Sequence, residues 1–157
     1  MPTTEPLAND SFLVCRVAVA TDSSSIYENV MNLNKKIAIV TGGASGFGAA
    51  CALRMAEAGA LVMVADLNMA GAQAIAEKIK ASGGQAASVI ADVSDRVSFE
   101  NMVATTRQHF GDLDILINNA GIQHVANIED FPVEKWDAII AINLTSAFHT
   151  MRLAIPG

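Results

Sequence analysis

The run Thr41-Gly42-Gly43-Ala44-Ser45-Gly46-Phe47-Gly48 constrains this chain more than any other stretch. It follows the short apolar run Ile37-Ala38-Ile39-Val40, which reads as a buried strand, and it opens an Ala-rich helical pattern over residues 49–58. Strand, glycine loop and helix in that order make a phosphate-binding arrangement. Glycine suits a chain that turns with positive φ, and a site where a pyrophosphate must approach the backbone with no Cβ in the way. The helix that starts there aims its unpaired N–H groups and the positive end of its dipole at the anion. A glycine cluster alone is more often a structural turn. Here Asp66 agrees with it. Asp66 ends the next apolar run, Leu61-Val62-Met63-Val64-Ala65, and lies 18 positions after Gly48. That is close to the roughly 20 residues expected for an acid that accepts hydrogen bonds from an adenosine ribose.

Beyond Asp66 the pattern keeps alternating. Residues 69–81 read as a helix with Ala70, Ala74, Ile75 and Ile79 facing inward and Glu77, Lys78 and Lys80 in water, stopped by Ser82-Gly83-Gly84. A third apolar run, 87–91, leads to Asp92-Val93. The helix expected over 95–110 turns Val97, Met102, Val103 and Phe110 inward, and Gly111-Asp112 breaks it. The fourth strand, Ile115-Leu116-Ile117, delivers the chain to Asn118-Asn119-Ala120-Gly121. Repeated β-α-β units with continuously apolar strands imply an α/β fold, a doubly wound, Rossmann-like parallel sheet with helices on both faces. Right-handed crossovers put its four strands in the order 3-2-1-4. The last third reads as helical, with Trp136, Ile139, Ile140, Leu144, Phe148 and Leu153 on one apolar stripe before Pro156-Gly157. No fifth strand follows that crossover, so the sheet is expected to be incomplete.

At 157 residues and 52% hydrophobic, the chain suffices for one cored domain. The formal charge of −6 argues against nucleic acid or an anionic membrane as partner. Cys15 and Cys51 have no spacing that suggests a metal site or disulfide framework, which fits a reducing cytoplasm. No stretch reaches the roughly 18 to 20 apolar residues of a membrane span. Residues 1–34 read as a poorly ordered extension, with Met31 as the natural start, and residues 35–157 as the nucleotide-binding domain. Residues 12–20 are apolar enough to suggest a signal peptide, but Glu5 and Asp10 stand where lysines or arginines belong.

Together, Thr41-Gly42-x-x-x-Gly46-x-Gly48, Asp66, Asp92, Asn118-Asn119-Ala120-Gly121 and Asn143 resemble the short-chain dehydrogenase/reductase family across residues 35–157. The resemblance implies that Thr41, Gly42, Ser45, Gly46, Phe47 and Gly48 belong to the cofactor site, holding the pyrophosphate and adenosine ribose. Asp66 would bind the ribose hydroxyls and repel a 2′-phosphate, so that NAD is preferred over NADP. It further implies that Asp92 contacts the adenine amino group, that Val93 packs on the ring, that Asn119 lies near the cofactor ribose and that Asn118 braces the central strands. Read without the family, Asp92 is equally a turn carboxylate. Asn143 is the catalytic candidate, since the family asparagine holds a water in a proton relay and interrupts its helix. Residues 118–157 are similar to the family's bacterial D-3-hydroxybutyrate dehydrogenases. By that similarity Gln123 binds the substrate carboxylate, through an amide that can donate without the desolvation cost of a buried cation. His124 would face away from it, and His149 reads as helix surface.

The family's acid-base chemistry uses a tyrosine, a lysine four residues later and a serine upstream. The only tyrosine here is Tyr27, whose fourth neighbour is Met31, and Ser146 comes too early to be the family serine. The expectation is a C-terminally truncated, NAD-dependent dehydrogenase, inactive by itself. Its parent would interconvert a small hydroxy acid and its ketone, 3-hydroxybutyrate and acetoacetate first among them, as a cytoplasmic homotetramer. A 3-oxoacyl reductase, a sugar alcohol dehydrogenase, or a non-catalytic nucleotide-binding module stay open as alternatives.

Overall fold

A computed structural model describes residues 32–155. Met31, Tyr27, Cys15 and the apolar run 12–20 lie outside the described residues, so the expected disorder of the extension is addressed only at residues 32–34. There Leu33 is already tied down. Its N–H donates to the Ala58 carbonyl at 2.9 Å and its side chain packs on the core.

Four strands, β1 (Ile37–Thr41), β2 (Leu61–Asp66), β3 (Gln85–Ile90) and β4 (Ile115–Ile117), form one parallel sheet in the order β3-β2-β1-β4. This is the order expected from right-handed crossovers. The two central strands are apolar up to their last residues, Thr41 and Asp66, because the sheet is covered on both faces. Ala38, Val40, Val62 and Val64 enter one core cluster, and Ile39, Met63 and Ala65 enter the other. Helices α1 (Gly46–Glu57) and α2 (Met69–Ala81) close the first face with Ala52, Met55, Ala72, Ala76 and Ile79. Helix α3 (Arg96–His109) closes the second with Phe99, Met102 and Val103.

Two helix faces differ from the periodicity reading. In α2 the buried residues are Ala72, Ala76 and Ile79, while Ala70 and Ala74 are exposed. Nearly every second residue there is alanine, so apolar spacing alone could not choose between faces. In α3, Val97 is 62% exposed and Phe99 is 2% exposed. Asp95 accepts from the Ser98 N–H at 2.7 Å and starts the helix, leaving Val97 in the first turn, away from the sheet.

The C-terminal rod is two helices joined by an irregular turn: α4 (Val133–Ile140), a π-turn (Ala141–Thr145) and α5 (Ser146–Ala154). His149 of α5 is half-buried and stacks on Phe99, with ring centroids 5.8 Å apart, so it packs rather than only facing water. At the other end of the sheet, Asp114 ties β4 to β1. Its carboxylate accepts from Lys36 Nζ at 2.6 Å and from the Ile37 N–H at 2.9 Å. These two donors, the lysine first, hold the Asp114 carboxyl below the usual carboxylate range.

Candidate functional site

In a 3-2-1-4 sheet, the direction in which successive strands are added reverses between β1 and β4, and ligands bind at the carboxyl ends of the strands beside that switch point. A groove of about 360 Å³ opens there. It is walled by the glycine loop after β1, by Asp66 and Leu67 after β2, by Ala91-Asp92-Val93 after β3, and by residues 119–122 after β4.

The glycine loop is shaped for a phosphate. Gly42 and Gly46 have φ of 65° and 53°, in the left-handed region that favours glycine. A Cβ on Gly46 would meet nothing within 4 Å, so the loop is open on that side. A Cβ on Gly48 would lie 2.1 Å from the Gly42 carbonyl oxygen, so the first turn of α1 packs directly on the loop. Ser45 caps α1 by position, with extended backbone and no side-chain cap bond, and no acidic residue stands in the first turn. The helix end therefore keeps unpaired N–H groups and an uncompensated positive dipole at the groove wall. A pyrophosphate fits this cradle in charge and in space. Phe47, 81% exposed, also lines the groove.

Asp66 is oriented by the backbone around it. One oxygen accepts from the Ala44 N–H at 3.0 Å and the other from the Asn68 N–H at 2.8 Å. Both bonds fix the carboxylate at the groove and leave each oxygen with further acceptor capacity for a diol. Asp92 lines the groove while also forming a turn, accepting from the N–H and the hydroxyl of Ser94. The turn reading and the wall position thus hold together. Val93 is buried beside it.

Thr41 is not in the wall. It is 1% exposed, and its hydroxyl accepts from the N–H groups of Asn119 and Ala120, each at 3.1 Å, and donates to the Ile117 carbonyl at 3.2 Å. It joins the end of β1 to the end of β4 beneath the groove. Asn119 lines the groove and also braces it, donating from Nδ2 to the carbonyls of Thr41 and Gly42. The bracing expected of Asn118 is thus made by its neighbour, while Asn118 accepts from the buried Thr150 hydroxyl at 2.7 Å and pins α5 to β4.

Asn143 sits in the π-turn, at the interruption expected there. Its Oδ1 accepts from the Ile122 N–H and its Nδ2 donates to the Ile122 carbonyl, both at 2.9 Å. The amide imitates a strand neighbour and holds Ile122 in the wall. Gln123 is exposed and outside the groove lining. His124 packs edge-on against Phe131. Ile122, Leu67, Ala91 and Ile142 line the groove without having been singled out by motif. Leu67 and Ala91 could have been found, since each adjoins a marked aspartate. Ile142 could not, because the π-turn decides where it points.

Burial pushes the Cys51 thiol of α1 above its ordinary pKa, which favours the protonated form. Among the described residues no cluster of His, Cys, Asp or Glu is arranged to hold a metal, and no helix is long and apolar enough to cross a membrane.

The sequence profile of the family described as short chain dehydrogenase matches residues 36–157. A D-beta-hydroxybutyrate dehydrogenase of Cupriavidus necator is 53% identical over 128 residues, covering 80% of this chain and 48% of the relative. A D-beta-hydroxybutyrate dehydrogenase of Rhizobium meliloti is 44% identical, covering 77% of this chain and 48% of the relative. A 2,5-dichloro-2,5-cyclohexadiene-1,4-diol dehydrogenase of Sphingobium indicum is 43% identical, with the same coverage of 77% and 48%. The chain spans about half the length of the curated relatives it matches.

Proposed function

The chain belongs to the short chain dehydrogenase family, and from that premise we propose that its groove holds NAD, in a protein that moves a hydride between NAD and a small secondary alcohol or ketone. The observation that carries the cofactor choice is Asp66. Its oriented, anionic carboxylate at the end of β2 suits a ribose diol and repels a 2′-phosphate. When bound, NAD supplies the hydride acceptor. The chain's own contribution is binding and orientation: α1 and the loop Gly42 to Gly48 hold the pyrophosphate, Asp92 and Val93 the adenine end, and Asn119 and Ile122 the far wall.

The substrate we propose is 3-hydroxybutyrate, oxidised to acetoacetate. Two relatives at 53% and 44% identity carry the name D-beta-hydroxybutyrate dehydrogenase, which supports this reading. In it Gln123 binds the substrate carboxylate and Asn143 serves the proton relay. Asn143 would do so through its main chain, because its amide is engaged by Ile122. The only tyrosine of these 157 residues is Tyr27, which has no lysine four positions later, so we propose that this chain alone binds NAD without turnover. The protein is further proposed to act as a homo-oligomer.

Calorimetric titration of the 157-residue chain with NAD and NADP tests the cofactor claim. NAD should bind at least about tenfold more tightly, equivalent to about 1.4 kcal/mol, and Asp66→Asn should shrink that gap. Equal affinities would remove the claim. NADH formation with D-3-hydroxybutyrate above a blank would refute the absence of turnover.

A further inference from the structure

Where the π-turn Ala141–Thr145 hands over to α5, the hydrogen-bond pattern skips one residue. In a regular α-helix the Ser146 N–H would donate to the carbonyl four residues back, on Ile142. Here it donates to the Ala141 carbonyl instead and closes the wider i to i+5 ring. The Ile142 carbonyl accepts from the Ser146 hydroxyl, at 2.5 Å. Serine in a helix often bonds back to the fourth carbonyl before it while the main-chain ladder stays intact. In this turn the hydroxyl stands in for the N–H, so Ser146 supplies both bonds at the point where the winding changes. It is 6% exposed, so the bond lies where water cannot readily replace it. One turn further on, the fully buried Thr150 hydroxyl, which donates to Asn118 after β4, lies 3.0 Å from the Ser146 carbonyl.

We propose that Ser146 is a positioning residue for the nucleotide groove, and that its hydroxyl locks the π-turn in the winding that presents Ile142 and Asn143 to the groove wall. Ile142 lines the groove directly. Asn143 holds both main-chain groups of Ile122, which lines it from the β4 side. With alanine at position 146 the Ile142 carbonyl loses its hydroxyl donor, and the nearest replacement is the N–H of residue 146 itself. Moving that N–H from Ala141 to Ile142 restores regular α-helical winding. The tighter winding swings Asn143 around the axis, and its amide leaves Ile122. The effect on nucleotide binding rests on the NAD reading of the groove; the effect on Ile122 does not.

Amide hydrogen exchange and calorimetric titration of the 157-residue chain test the two effects separately. Ser146→Ala should speed exchange of the Ile122 N–H, which Asn143 protects, by about two- to tenfold, the equivalent of one hydrogen bond. The Val64 amide in β2 should exchange as in wild type, because only the turn has opened. NAD, which reaches the Ile122 wall, should bind more weakly by a similar factor. ADP, which fills only the adenine and pyrophosphate ends, should bind within about twofold of wild type. Ser146→Thr keeps the hydroxyl and should restore both readouts. Adding Ser146→Ala to Asn143→Ala should leave Ile122 exchange where Asn143→Ala alone puts it, since the lock acts through Asn143. This cycle adds no bulk, so it decides the case if threonine does not fit. Unchanged Ile122 exchange in Ser146→Ala overturns the proposal, as does equal acceleration at Val64, equal weakening of NAD and ADP, or additivity in the cycle. If the exchange results hold while wild type binds neither nucleotide, the lock stands and the NAD reading falls.

Discussion

Replacing Thr41 by valine separates a structural hydroxyl from a ligand-binding one. Valine keeps the shape, so packing in this 1% exposed site is conserved and only the hydroxyl is lost. The Ala120 N–H then loses its acceptor, while the Asn119 N–H and the Ile117 carbonyl each lose one partner and keep each other, at 3.1 Å. Orphaning one buried polar group costs about 1–3 kcal/mol. These three groups are only partly buried, and water or a small shift recovers part of the loss, so the expected total is about 2 kcal/mol. Thr41→Ser keeps the hydroxyl and removes one methyl, which costs about 0.8 kcal/mol. Urea unfolding at neutral pH measures both. The valine variant should have the lower midpoint, with the serine variant between it and wild type. NAD affinity should fall in step with the loosened junction of β1 and β4. A valine variant within about 0.5 kcal/mol of wild type that had nonetheless lost NAD binding would refute the bracing role and return Thr41 to the ligand.

Gly48→Ala places a Cβ 2.1 Å from the Gly42 carbonyl oxygen and 2.5 Å from Asn119 Nδ2, so the loop must open. NAD affinity should drop by more than about tenfold, read by calorimetry, with a loss of stability of about 2 kcal/mol. Phe99→Ala should cost about 3–5 kcal/mol in urea unfolding, and Val97→Ala less than about 0.5 kcal/mol, because only the first is buried. The folded-state pKa of Asp114 is depressed by Lys36 and the Ile37 N–H, so its contribution is present above the ordinary carboxylate range and is lost as pH falls through the folded value. Asp114→Asn should therefore flatten the acid limb of a stability-against-pH profile and change little at acid pH. A parallel acid limb in the variant would show that another group carries it.

The alternation of apolar runs with helical patterns was enough to read the parallel sheet, its strand order and the placement of the glycine loop, because all three follow from local rules. Continuous apolar strands need two covered faces, crossovers have one hand, and glycine marks positive φ. Helix faces were less legible. Alanine at nearly every second position of α2 leaves the burial vector undefined, and only contact with the sheet selects Ala72 and Ala76 over Ala70 and Ala74. The site divided in the same way. The spacing of Thr41, Gly42, Gly46, Gly48, Asp66, Asp92 and Asn119 marked the ends of the strands where the groove opens, and Asn143 marked the irregular turn beside it. Spacing along the chain has no access to which way a side chain turns at a junction. Thr41 faces inward because the ends of β1 and β4 meet there and need a hydroxyl between their main chains. Asn143 meets Ile122 because a π-turn, closed by packing along the whole rod, turns its amide toward a strand end 21 residues earlier. Local preference names the elements and the residues that can do chemistry, and long-range packing decides which of them face the ligand and which hold the walls around it.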